Sequence, residues 1–150
     1  MKILSIRDWL ADSVIVAGLT VIATYLLPLV VIPLASLRLH VLGAGPFWVR
    51  FVTVDLPAFV VTGCVLGLAA GGLIRHRKLS VAFLPSVLFC VYLASIHTFV
   101  APRYFWGQSW TDFMLVGRWL LLIAGSLVCA RFILRRRQSN TALEPTATVP

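Results

Sequence analysis

The chain has 150 residues, of which 60% are apolar and 12% charged, and its net charge is +8. This composition supplies too little polar surface for a soluble protein of this length, which excludes an ordinary soluble domain and predicts an integral membrane protein. The basic residues fall at the ends of apolar segments rather than along one solvated face, so the charge does not indicate nucleic-acid binding.

Four long apolar segments follow one another along the chain, at residues 13–37, 48–74, 79–102 and 111–134. Each is close to or above the ~20 residues that an α-helix needs to cross a ~30 Å hydrocarbon core. With their short connections they fill residues 1–137, so any activity has to lie within or between the helices. The sequence therefore predicts an all-α bundle of four transmembrane helices. Residues 138–150 are polar and aperiodic, which predicts a disordered tail.

The basic residues also predict an orientation. Nine Lys and Arg residues lie at one set of helix ends and three at the other. By the positive-inside rule, both termini are expected in the cytoplasm, in a multi-pass protein of the cell's inner membrane. The lipid bilayer is then the first partner, and anionic headgroups are expected to contact a basic set on the cytoplasmic side. That set is Arg75, Arg77, Lys78, Arg135, Arg136 and Arg137.

The two halves of the chain resemble one another. Residues of the first half recur in the second at an offset of 57 to 59, among them Leu34, Ser36, Phe47, Trp48 and Asp55. This indicates two repeated helical hairpins related by an axis along the membrane normal. Chance matching of residues common at membrane boundaries is the alternative.

Two charges fall inside the apolar segments, Asp55 in the second and Arg118 in the fourth. Both segments run in the same direction across the membrane, so the charges are expected at a similar depth. An isolated charge there is costly, and pairing within the bundle is the economical arrangement. A substrate or ion site and separate snorkelling to the surface are the alternatives. Arg50 is a competing partner for Asp55.

A polar group is expected near the outer surface, from His40, His97, Tyr104 and Asp112. Two histidines in corresponding positions of two hairpins could ligate a haem, but one pair near helix ends is more typical of interfacial hydrogen bonding. We therefore predict no cofactor, no metal site and no catalytic set. Three cysteines lie singly in different segments, which predicts small core residues.

Gly63, Gly67 and Gly71 are spaced four residues apart in the second segment. Residues four apart lie on one face of a helix, and side chains this small let a neighbouring helix approach its backbone closely. The pattern predicts a helix-packing face. Its partner is either another helix of the same chain or a second copy of the protein.

Three classes of function fit this sequence. The lack of a catalytic motif favours a non-catalytic bundle that binds or scaffolds a membrane partner, which includes a second copy of itself. The intramembrane charges favour a small transporter or channel using Asp55 and Arg118. A membrane enzyme with a site at the outer surface is the third and least favoured class.

Overall fold

The computed structural model describes residues 6–43, 45–74, 79–99 and 109–143, all within or beside helices. It confirms an all-α bundle of four helices, each long and apolar enough to span a membrane, and hence the fold of a multi-pass membrane protein. The helices are α1 (Ile6–Leu42), α2 (Phe47–Arg50, a π-helical turn Phe51–Asp55, and Leu56–Leu73), α3 (Leu79–Ala82 and Leu84–Phe99) and α4 (Ser109–Leu143).

The helix α2 is the centre of the bundle, because it packs against each of the other three helices and its membrane span is the most buried of the four. Its longest contact is with α4, and the two run parallel: Gly63 lies against Leu122 and Gly67 against Ser126. The helix α1 packs against α2 and α3. Because the helices alternate in direction, α1 begins and α4 ends on one side of the bundle, which we call the termini side. The two helices that a hairpin duplication would make equivalent, α2 and α4, are thus direct neighbours, and the duplication itself stays a prediction.

Both terminal helices extend beyond the apolar segments. The helix α1 begins at Ile6 and reaches Leu42, where Gly43 with φ 66° ends it in the left-handed conformation typical of a helix C-terminus. The helix α4 continues to Leu143, six residues into the segment that was expected to be disordered. Arg and Gln are good helix formers, which explains why the helix persists past Arg137. Residues 144–150 lie outside the described part of the chain.

Prolines have different effects in different helices. The helix α1 stays continuous through Pro28 and Pro33. In α2, the π-helical turn ends two residues before Pro57, and the Leu56 N–H donates to the Phe51 carbonyl, five residues back. In α3, the break at residue 83 precedes Pro85. Proline lacks an N–H and its ring crowds the preceding turn, which explains both interruptions.

Candidate functional site

The structure brings the two intramembrane charges together. The Arg118 Nη2 donates to the Asp55 Oδ2 at 2.7 Å, and the side chains are only 16% and 6% exposed, respectively. Arg50, the competing partner, lies on the same helix as Asp55, five residues earlier. A charge-assisted hydrogen bond between opposite charges satisfies both groups in a medium where neither could remain alone.

The π-helical turn shapes the surroundings of this pair. Asp55 is its last residue and Phe51 its first. The Arg118 Cζ lies 5.7 Å from the centroid of the Phe51 ring, within the range of a cation–π contact. The guanidinium therefore has a carboxylate at one end and an aromatic ring over its carbon. Turns of π-helix are frequent at functional sites, which makes this the candidate site of the bundle.

The glycine face of α2 packs on α4 of the same chain. A Cβ atom built on Gly63 or Gly67 would overlap the backbone carbonyl oxygen of Leu122 or Ser126, respectively. At Gly71 the space is less tight, because a Cβ atom would lie 3.1 Å from the Ile133 Cβ. The two backbones are therefore in direct contact over two turns. This contact forms a close interface between α2 and α4, which we call the α2–α4 seam. Asp55 and Arg118 lie on it.

The polar group expected near the outer surface is only partly visible. His40 is exposed near the C-terminus of α1. Tyr104 and the side chains of His97 and Asp112 lie outside the described part of the chain. A shared site for these four residues stays a prediction.

The basic residues at the termini side have separate environments. Arg137 Nη1 donates to the carbonyl oxygens of Gly71 at 3.1 Å and Ile74 at 3.2 Å. It therefore binds the C-terminal end of α2, whose last carbonyls lack partners within the helix. Arg135 and Arg136 are exposed, and the Arg136 guanidinium lies over the Phe132 ring. Arg75, Arg77 and Lys78 lie outside the described residues.

Asp12 is a buried charge that the sequence analysis did not single out. It is 3% exposed, and it lines a cavity of about 270 Å³ between α1 and α3. The other lining residues are mostly apolar and include Trp9, Val16, Val81, Leu84 and Leu88. Its burial could not be expected from the sequence, because Asp12 lies one residue before the first apolar segment, where a carboxylate is ordinarily solvated.

Two of the three cysteines are less buried than expected. Cys90 is a buried core residue, and its Sγ lies 3.9 Å from the Trp119 carbonyl oxygen. Cys64 on α2 and Cys129 on α4 are only partly buried. The Cys64 Sγ lies 3.5 Å from the position that a Cβ atom of Gly125 would take, so Cys64 belongs to the α2–α4 seam.

No protein-family model, curated protein or solved structure matches this chain. In the part of the chain that the structure describes, no three His, Cys, Asp or Glu side chains are arranged to hold a metal ion. The features that bear on function are therefore those of the bundle itself: the charge pair, the tightly packed α2–α4 seam, the cavity at Asp12 and the surface of α1.

Proposed function

We propose that this multi-pass membrane protein is a non-catalytic helical bundle that binds a membrane partner through the exposed face of α1. The observation that carries the proposal is Tyr25, which is 70% exposed. No residue that the structure describes forms a hydrogen bond with its hydroxyl.

The position of Tyr25 makes this exposure costly. It lies 18 residues after Arg7 and 13 before Arg38, so at 1.5 Å per residue it is about 20 Å or more from either charged end. A tyrosine side chain cannot bring its hydroxyl to the membrane surface from that depth. An unpaired hydroxyl in hydrocarbon costs about 4–8 kcal/mol on alkane scales. A partner helix that offers a hydrogen-bond acceptor removes this cost.

The residues around Tyr25 form a face suited to such a partner. Large side chains are exposed at spacings of three, four and seven residues, which places them on one side of the helix. By contrast, the buried residues of α1 end at Ala23, so the second half of the helix contains no fully buried residue. Helices in lipid associate through close packing and hydrogen bonds, and this face supplies both. The face consists of Val21, Tyr25, Leu29, Ile32 and Leu39.

Site-specific photocrosslinking in native membranes tests the proposal. A photoreactive amino acid at Leu29 is expected to give a protein adduct of defined mass, and Tyr25→Phe is expected to reduce its yield several-fold. Val128 on α4 is the matched control, since it is 66% exposed, against 68% for Leu29. Lipid adducts alone at Leu29, or equal protein adducts at both positions, would reject a partner site on α1.

A second candidate function is a small transporter, and the cavity at Asp12 favours it. A buried carboxylate in an apolar cavity resembles the polar groups that orient small ligands in otherwise apolar sites. The pair of Asp55 and Arg118 would then act as a structural tie rather than as the ligand site. Proteoliposomes with an internal pH dye give the test: proton leakage that Asp12→Asn abolishes and Asp8→Asn preserves would support transport.

A further inference from the structure

Two arginines of α4 line grooves at the termini side of the bundle. Arg131 and Arg135 are exposed. Because they are four residues apart on one helix, they lie on the same face, about 6 Å apart along its axis. On one side of this arginine pair is a groove of about 210 Å³ between α4 and the start of α3. Leu79 and Leu134 supply its apolar wall, and Gln138 continues the face of the arginines.

A second groove lies on the other side of the arginine pair. It has a volume of about 480 Å³, and Val128 and Phe132 line it together with the same two arginines. In an α-helix, residues one and three positions after Arg131 fall on opposite sides of it, which places Phe132 and Leu134 in different grooves. The arginine pair therefore forms a ridge with an apolar groove on each side.

The two guanidiniums have no partner among the residues that the structure describes. By contrast, Arg118 and Arg137 bind acceptors on α2. Arg131 and Arg135 form no hydrogen bond or ion pair with a described residue. The position of Arg131 makes this costly, because the uncharged residues 119–130 precede it and three apolar residues separate it from the arginines that follow. Its charge therefore lies near the edge of the hydrocarbon core, where an anionic partner stabilises it.

We propose that Arg131 and Arg135 bind one phospholipid with two phosphate groups, of the diphosphatidylglycerol class. Each guanidinium can donate two parallel N–H bonds to one phosphate, so the pair matches two phosphates joined by a short glycerol linker. The acyl chains of the two halves of the lipid then lie in the two grooves, against Phe132 on one side and Leu79 and Leu134 on the other. The headgroup neutralises both charges at once.

Charge and shape together select this lipid. A phospholipid with one phosphate leaves one guanidinium without a partner. Inorganic phosphate could bind the guanidiniums, but it has no acyl chains for apolar grooves at the end of a membrane span. The site is narrower than the headgroup contact that the sequence predicts, because it includes Arg131 and does not use Arg137, whose guanidinium binds α2. It lies on α4 and is independent of the partner face on α1.

Native mass spectrometry of the full chain, delipidated in a neutral detergent, tests the proposal. Tetraoleoyl diphosphatidylglycerol is the probe, and dioleoyl phosphatidylglycerol and inorganic phosphate are compared with it. We expect one molecule of the two-phosphate lipid per chain. Its apparent affinity should be about tenfold above that of the one-phosphate lipid, since a second charge-assisted contact forms. The lipid should also raise the unfolding temperature of the wild type, because the site exists only in the folded chain.

Substitutions of the two arginines and one control locate the site. Arg131→Gln and Arg135→Gln each remove one phosphate contact, and each should lower the affinity about tenfold. Arg131→Lys keeps the charge but loses the paired N–H donors, so the affinity should fall several-fold. Arg7→Gln removes the same charge from the exposed start of α1 at the termini side, and the affinity should change little. All four variants should unfold at the wild-type temperature without lipid, since exposed and unpaired arginines contribute little to stability.

Four results would overturn the proposal. Equal affinities for the two lipids would show that one phosphate suffices. Displacement of the lipid by inorganic phosphate at an equal concentration would assign the site to free anions. An equal loss of affinity in Arg7→Gln would assign the binding to net charge. Unchanged affinity after substitution of both Arg131 and Arg135 by Gln would place the lipid elsewhere on the bundle.

Discussion

Arg118 donates a 2.7 Å hydrogen bond to Asp55 from a position 63 residues later in the chain. The contact joins two parallel helices whose backbones already touch at Gly63 and Gly67. The pair therefore lies at one end of the α2–α4 seam, and each charge is neutralised by the other. A salt bridge beside a tightly packed helix interface is typical of a structural contact, which agrees with the scaffold that we propose.

The coupling between the two charges is measurable. Either Asp55→Asn or Arg118→Gln leaves the other charge without its partner in a region of low dielectric, so each single substitution should cost about 3 kcal/mol of unfolding free energy. The double variant should cost less than the sum, because it leaves no unpaired charge. Unfolding in mixed detergent micelles gives the cycle. Strictly additive losses would mean that the pair contributes no coupling.

The glycine face should tolerate no added methyl group at its tightest points. Gly67→Ala places a Cβ atom against the Ser126 backbone, which cannot move without separating α2 from α4. We expect a loss of about 1–3 kcal/mol in unfolding free energy. Gly72→Ala is the matched control on the same helix, because no atom lies within 4 Å of its Cβ position. Alanine also favours helix over glycine, so the control should be neutral or slightly stabilising. Equal effects of the two substitutions would contradict the close packing of α2 on α4 at Gly67.

Arg137 should contribute more to stability than its neighbours. Arg137→Gln removes hydrogen bonds to the Gly71 and Ile74 carbonyl oxygens at the end of α2. Hydrogen bonds to charged groups are worth about 1.5–3 kcal/mol, and the partial exposure of Arg137 places the expected loss near the lower figure. The exposed Arg135 gives the control Arg135→Gln, and thermal unfolding compares the two. An equally large loss in the control would assign the effect to net charge.

The orientation of the bundle is a prediction that single cysteines can test. In a background without native cysteines, Leu42→Cys and Ser139→Cys place thiols on exposed positions at opposite sides of the membrane. The excess of basic residues at the termini side predicts that an impermeant maleimide labels residue 42 in intact cells and residue 139 only after lysis. Labelling of residue 139 in intact cells would reverse the topology.

Much of the architecture could be predicted from the sequence. The four apolar segments predicted four helices, and the structure confirms the bundle, because the length and apolarity of a segment are local properties. The extents of α1 and α4 could not be predicted in this way, since a helix continues into water as long as local propensity and capping allow it. The role of Arg137 could not be predicted either, because the carbonyl oxygens that it binds belong to another helix.

Only the tertiary structure decided which side of each helix faces a neighbour. A helix that is apolar all round has no hydrophobic stripe to indicate its buried face, so the sequence could not predict that Asp12 is buried or that Tyr25 is exposed. The glycines of α2 were the exception, since small side chains at a spacing of four mark a packing face in themselves. Even there, the choice of α4 as the partner came from the packing of the whole bundle.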